Sequence, residues 1–546
     1  MNVTRESPNS RITRNRKAGA ASEPLAARLS RRLRPLALLG ALSVVVALAR
    51  LHTYDEPLER DITGYAVAGH ALLGGQRLYS DVWDHKPPAI HATYALAEVL
   101  AGYGYAPIYL MGVVAAIATL FGVYKAASAF GGAVPGIWAS AFWALLCSDL
   151  YLQANQPNTE VFINALLVWA LALLVCADRH SFGFKKAVIT GILLALASVY
   201  KQVVVVNAAL LCLVHPAFPP QTMHKRSHLL GQAALMAAVG AATWATVLGY
   251  FAATGRFSDF YENVVVYNSQ YAGSIWSNIA TSWQPALLLP NALKRVALPL
   301  IAVSLIGAGV ALATSRISGR CWMFLVASMI ATQAAVALPG KFFAHYYQLW
   351  VPLLAVCAGI GVNSLRWVAS KGATYWSHTA GATVLVLLLG LQLPLYRLAP
   401  EDWSRRKYGE VFVDSQRMGR EIGSLLKPGE TFFEWGAESG LYFDSQREPS
   451  SGILAPVYLL FNRRIGAEVS KRLIEDLARR PPELFVVHRP NYSERMRTHP
   501  VIAWFSSRYK LFPHNPVRGR FILLIRRGGA LEARLKGQAP SVTNRP

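Results

Sequence analysis

Residues 58–88 read LERDITGYAVAGHALLGGQRLYSDVWDHKPP. This stretch follows the first long apolar run and precedes roughly ten more, each near the length that carries a helix across a bilayer core. It holds Asp61, Asp81, Asp84, His85 and Lys86, and its closing Pro87-Pro88 fixes a turn and ends any helix upstream. Acids and a lysine gathered just outside a first span make this loop the candidate functional site.

Working outward, the composition fits a polytopic membrane protein. Of 546 residues, 53% are hydrophobic and only 15% charged, with mean hydropathy +0.30. Apolar runs recur up to residue 396. The net charge of +24 is the mark of Lys and Arg in loops kept in the cytosol. Contact with anionic lipid headgroups or a phosphate-bearing lipid substrate is compatible with it. No basic module interleaved with aromatics appears, which argues against nucleic acid. Cys147, Cys176, Cys212, Cys321 and Cys357 all lie in apolar runs and none forms a CxxC pair. They read as packing residues rather than a disulfide framework or zinc site.

Residues 1–34, rich in Arg, Ser and Asn, predict a disordered basic cytoplasmic tail. Residues 35–51 predict an uncleaved signal anchor, since the charged region ahead is too long for a signal peptide. Ala89 to Gly104 has a helical pattern but is short and carries His91 and Glu98. Taken as an interfacial helix, it puts Lys125 and the basic stretches 179–186, 224–226, 316–320 and 366–371 in the cytosol, in keeping with the positive-inside rule. Spans then fall near 36–51, 106–128, 134–152, 161–177, 187–201, 203–217, 229–253, 296–314, 321–338, 349–365 and 379–396, about eleven in all. The outer loops are 52–105, 153–160, the break at Lys201-Gln202, 254–295 and 339–348. Beyond Arg397, an amphipathic helix (Tyr408 to Leu426) precedes strand-like Thr431–Trp435 and Leu441–Phe443. A helix at Ala467–Arg479 and strands at Leu484–Val487 and Phe521–Ile525 complete a small extracytoplasmic α/β domain, 397–527. Residues 528–546 are expected to be disordered.

Several residues suit chemistry on the outer face. Asp61 and Tyr65 share one face of a helix, and an ionised carboxylate there can take a proton from an acceptor, although a solvated loop acid reads the same way. Lys86 can bind a phosphate oxygen as a point charge, with Asp84 holding either the lysine or a divalent metal. Glu160 opens the fourth span, where the helix dipole alone would favour an acid. Lys201, beside Gln202, interrupts the apolar stretch 189–214, a costly place for a charge unless it is used or snorkels to the interface. Lys341, His345 and Tyr346 lie in GKFFAHYYQ and could neutralise a leaving phosphate, though Tyr346 and Tyr347 also suit an interfacial belt. No P-loop, GxSxG elbow or HExxH motif is present.

The run RDITGY…LYSDVWDHKPPAIHATYAL resembles the first outer loop of GT-C superfamily glycosyltransferases, which use lipid carriers. Protein O-mannosyltransferases and bacterial aminoarabinose transferases are among them. NTE at 158–160, the break at Lys201 and HYY at 345–347 look like bacterial members, and the resemblance spans residues 36–400. It implies a GT-C-like transmembrane domain, 35–396, with a catalytic outer loop, 52–105. It further implies inverting transfer of a sugar from a polyprenyl-phosphate donor to a glycan, lipid or protein acceptor. The reaction would lie on the periplasmic side of the plasma membrane, with the N terminus cytoplasmic. Asp61 matches the family's catalytic Asp because Tyr65 follows at the family's spacing. Asp55-Glu56 spells the family dipeptide, but Glu59 stands where that Tyr belongs. Asp84 and Lys86 match the acid and lysine of the acidic-Lys-Pro-Pro motif. Lys86, Lys201, Lys341, His345 and Tyr346 would bind the donor phosphate, and Tyr65, His85, Glu160 and Gln202 the substrates. The resemblance implies no definite cofactor and leaves open a divalent metal, with Asp84 as its ligand. Ile62 departs from the family, which has Glu there. A transporter or flippase of lipid-linked sugars is the competing class. It would place polar groups at the midplane, on repeats that this chain lacks.

Overall fold

The computed structural model describes residues 25–178, 182–220, 226–368, 372–460, 462, 465–491, 498–513 and 516–538. The expected tails over 1–24 and 539–546, and parts of the basic loops at 179–181, 221–225 and 369–371, lie outside the described residues.

Helix α1 spans Leu25–Leu51. It starts inside the stretch expected to be disordered, because LAARLSRRLR is built from strong helix formers ahead of Pro35. The loop expected to be outer, 52–105, contributes α2 (Arg60–Leu73) and α3 (Ala89–Ala101). Ten apolar helices follow. They are α4 (Tyr105–Gly131), α5 (Ala133–Leu146), α6 (Thr159–Val175), α7 (Phe184–Tyr200), α8 (Val205–Ala217), α9 (Arg226–Ala253), α10 (Asn291–Ala313), α11 (Gly319–Ala337), α12 (Trp350–Ser364) and α13 (Ala373–Gln392). With α1 they occupy all eleven positions read from hydropathy.

Among the described residues, seven helical stretches are long and apolar enough to cross a membrane, judged by length and composition. Among the others, α5 and α8 have 14 and 13 residues, about 20 Å of helix against a core of roughly 30 Å. Helix α5 stops at Leu146, not near 152 as expected, because buried Asp149 organises a turn. Its carboxylate accepts hydrogen bonds from the Leu152 N–H at 2.9 Å and from Gln392 Nε2 at 2.6 Å. Irregular backbone is tolerable at such depth when protein encloses it. Between α7 and α8, Lys201 is extended (φ −155°) and Gln202–Val204 form one tight 3-10 turn.

Small residues set the closest packing. A Cβ on Gly307 of α10 would strike the backbone of Gly361 on α12, and one on Gly361 would strike the Val303 carbonyl. The two helices therefore meet backbone to backbone.

The C-terminal domain opens with α14 (Pro400–Tyr408) and α15 (Val411–Leu425). The single expected helix is broken because Gly409 takes φ 70°. A mixed sheet follows, with strands β1 (Phe432–Trp435), β2 (Leu484–His488), β3 (Tyr509–Leu511), β4 (Val517–Arg518) and β5 (Phe521–Arg526). Their order is β1-β2-β5-β3, with β4 on β5 and only β1–β2 parallel. Leu441–Phe443, expected as a strand, lies in helix α16 (Gly440–Ser445), fully buried. Helix α17 (Gly466–Arg479) crosses between β1 and β2. The stretch after Arg527 is helical from Ala530 to Gln538 as α18, not disordered. Glu532 accepts from the Gly528 N–H at 2.6 Å and pairs with Lys510 at 2.5 Å.

One apolar core joins the outer loop to this domain. Leu58, Ile62, Tyr65, Val82 and Ile90 are buried together with Met418, Phe432, Leu441 and Leu484.

Candidate active site

Helix α2 begins after Glu59, whose extended backbone (φ −68°, ψ 153°) turns the chain, and Asp61 sits in the first turn. An acid there is favoured by the helix dipole. Asp61 is half-buried, and among the described residues its carboxylate makes no hydrogen bond or ion pair. Burial pushes the neighbouring Glu59 carboxyl well up, and the charge of Asp61 adds to that. Asp55 is exposed, whereas Glu56 is fully buried and paired with Lys407 at 2.5 Å. The Asp55-Glu56 dipeptide is thus split between solvent and a structural ion pair.

One turn after Asp61, Tyr65 is buried, with its ring edge-on to His91 and Tyr94 at 5.8 and 5.7 Å. Its hydroxyl faces Asn158 Oδ1 at 3.4 Å.

The loop then folds back. Asp81 is held by Arg77 at 2.9 and 3.0 Å, and the Tyr79 N–H donates to the Val82 carbonyl at 2.7 Å. Asp84 follows. Its Oδ1 accepts from the Lys86 N–H at 2.8 Å, and its Oδ2 lies 3.0 Å from Nε2 of fully buried His91. Burial pushes the Asp84 carboxyl up, but His91, His85 and Lys86 outweigh it and hold the group below the usual carboxylate range. His85 is driven down to about 4 by burial and by Lys86. Its neutral Nε2 faces Lys86 Nζ at 3.2 Å.

Opposite, Glu160 Oε1 and Lys201 Nζ form a buried ion pair at 2.7 Å. The Lys201 ammonium also lies 3.3 Å from the centre of the Tyr346 ring, a cation–π arrangement. His345 is buried with Nδ1 3.1 Å from Gln153 Oε1. Asp61, Lys86, Glu160, Lys201 and His345 are close enough for their charges to act on one another. Of these sequence-chosen residues, Asp61, Lys86 and Glu160 therefore lie within electrostatic reach of both Lys201 and His345. Lys341 sits further out, exposed, 4.3 Å from the Tyr271 ring centre. Gln202 points away, toward the Val264 carbonyl at 3.5 Å.

Sequence reading missed His91, Tyr267 and Tyr271. A histidine inside a short apolar helix was the available signal for His91. The two tyrosines belong to the loop 254–295 and lie 5.4 and 5.7 Å from the His85 ring, in a segment whose aromatic composition resembles an ordinary interfacial belt. Among the described residues there is no group of three or more His, Cys, Asp or Glu able to hold a metal ion. Both Asp84 oxygens already face protein partners. The residues present therefore do not form a metal cage.

These features give the chain a GT-C-like fold: a polytopic membrane protein with an irregular loop capped by an α/β domain. In particular, the chain is similar to ArnT from Cupriavidus metallidurans bound to undecaprenyl phosphate, with a TM-score of 0.60 and 14% identity. That match covers 91% of this chain and 98% of that one. The same protein in its apo state gives a TM-score of 0.58 at 13% identity, covering 90% and 97%. The Archaeoglobus fulgidus oligosaccharyltransferase tethered with an acceptor peptide gives 0.47 at 12% identity, covering 87% and 72%. No family model and no curated protein matches the chain. At these identities the likeness is one of fold.

Proposed function

We propose that the protein is a membrane glycosyltransferase that moves a sugar from a polyprenyl-phosphate donor to a glycan, lipid or protein acceptor on the periplasmic face. The observation that supports this reading is that Asp61, whose carboxylate has no partner among the described residues, lies within electrostatic reach of Lys201 and His345, as does Lys86. Asp61 takes the proton of the acceptor hydroxyl or amine as general base. The acceptor atom bonds to the anomeric carbon as the bond from that carbon to the phosphate oxygen breaks, in one displacement that inverts the centre. The pair of electrons leaves on the polyprenyl phosphate. Lys86, Lys201, Lys341 and His345 neutralise it, Lys201 with one N–H already taken by Glu160. Asp84 does not touch the reacting atoms in this reading; it fixes the Lys86 backbone. No step is routed through a metal ion. The plasma membrane, a cytosolic N terminus and an outer C-terminal domain complete the reading, which the distribution of Lys and Arg supports.

The test is transfer from a radiolabelled polyprenyl-phosphate sugar by the purified full chain, with Asp61→Asn set beside Asp55→Asn. Asp61→Asn should abolish transfer and Asp55→Asn should keep it. The reverse result would remove Asp61 as the base. Mass spectrometry of surface glycans from a deletion strain should reveal the missing sugar, and an unchanged glycan profile would count against the activity itself.

A further inference from the structure

The C-terminal domain grips the outer loop at two places, each next to a residue of the proposed site. The first grip is on Arg60, the neighbour of Asp61. Arg60 Nη2 lies 3.0 Å from Oε1 of fully buried Glu438, and Arg60 Nη1 donates to the Tyr458 hydroxyl at 2.6 Å. The Ser439 hydroxyl donates to the Arg60 carbonyl at 2.7 Å and meets the Thr63 hydroxyl at 2.8 Å. Glu438 and Ser439 stand in the loop just after β1, at the carboxyl end of the parallel pair β1–β2. In open α/β sheets that end commonly receives a ligand. Here it receives the start of α2.

The second grip is on residues 80–83, just before Asp84. The Trp83 N–H donates to the Gly452 carbonyl at 3.0 Å, and Arg472 Nη2 donates to the carbonyls of Ser80 and Asp81. Gly452 is required by the approach. A Cβ there would be driven into the Asp81 carbonyl oxygen and would stand 3.0 Å from Val82 Cα.

We infer that the C-terminal α/β domain is a positioning domain, whose Glu438, Ser439, Gly452 and Arg472 fix the two segments of the outer loop that carry Asp61 and Asp84–Lys86. The inference rests on the transferase reading for its catalytic consequence, while the grip itself can be measured independently. Both contacts are made to backbone or to a fully charged side chain, so they set the loop's path rather than merely bury it.

The experiment uses the full chain in nanodiscs, with Gly452→Ala, Arg472→Gln and Glu438→Gln. Hydrogen exchange of the peptides covering 58–66 and 77–88 is read together with kcat and KM. Gly452→Ala and Arg472→Gln should speed exchange across 77–88 about tenfold and lower kcat about a hundredfold, with a much smaller change in KM for the donor. Glu438→Gln should do the same to 58–66, and Glu438→Asp should restore part of the rate. If Gly452→Ala unfolds the protein, Arg472→Gln, half-exposed on α17, decides the matter alone. Unchanged exchange in the loop overturns the inference, as does raised exchange with unchanged kcat. A wild-type chain that transfers no sugar would instead overturn the transferase reading and leave the exchange result to judge the grip.

Discussion

Lys201 and Glu160 meet at 2.7 Å with both side chains almost wholly withdrawn from solvent. Removing one partner strands the other charge. Glu160→Gln is expected to cost roughly 3–5 kcal/mol of stability, read as unfolding in detergent. The double variant Glu160→Gln with Lys201→Met should recover most of that loss. A double variant no more stable than the single would show that the pair is not the source of the cost.

Asp84 owes its placement to His91, 3.0 Å away on the first turns of α3. His91→Ala should leave Asp84 held only at Oδ1 by the Lys86 N–H and lower kcat about a hundredfold, while KM for the donor moves little. A large rise in KM with unchanged kcat would instead mean that His91 acts on donor binding.

Asp444 gives the fold a pH dependence. Burial raises its carboxyl from 3.8 to about 7, and the Tyr105 hydroxyl donates to it at 2.7 Å. The folded state therefore holds this proton more tightly than the unfolded chain. The resulting stability is complete below about pH 4 and is lost as pH rises through about 7. The unfolding temperature should fall between those values, and Asp444→Asn should flatten the slope. Equal slopes for the two proteins would remove Asp444 from the account.

Gly361 has no room for a methyl group against Val303. Gly361→Ala should push α10 from α12 and cost roughly 1–3 kcal/mol, seen as a lower unfolding temperature. No change would mean that the two helices can part freely.

The bundle was legible because length and apolarity mark candidate spans, and all eleven expected positions carry a helix, seven of them, among the described residues, long and apolar enough to cross a membrane. Ends were harder, since Asp149 and Lys201 stop their helices through partners at Gln392 and Glu160 that no local pattern announces. Leu441–Phe443 is a short buried apolar run, for which strand and helix patterns look alike. Helix α18 was missed because it is largely polar, with Leu531 as its buried anchor. Within the site, Asp61, Asp84, Lys86, Glu160, Lys201 and His345 could be chosen from residue type and position. His91 offered only its place inside a short apolar helix, and Tyr271 offered nothing, because its neighbours His85 and Lys341 are met across the fold.

The grip on Arg60 also sets an order of events. Its partners Ser439 and Tyr458 stand 379 and 398 positions further along the chain. A protein synthesised from its N terminus thus carries this loop without its partners until the last quarter of its length has been made. A chain truncated before Ser439 would therefore keep residues 60–63 without the partners that hold them.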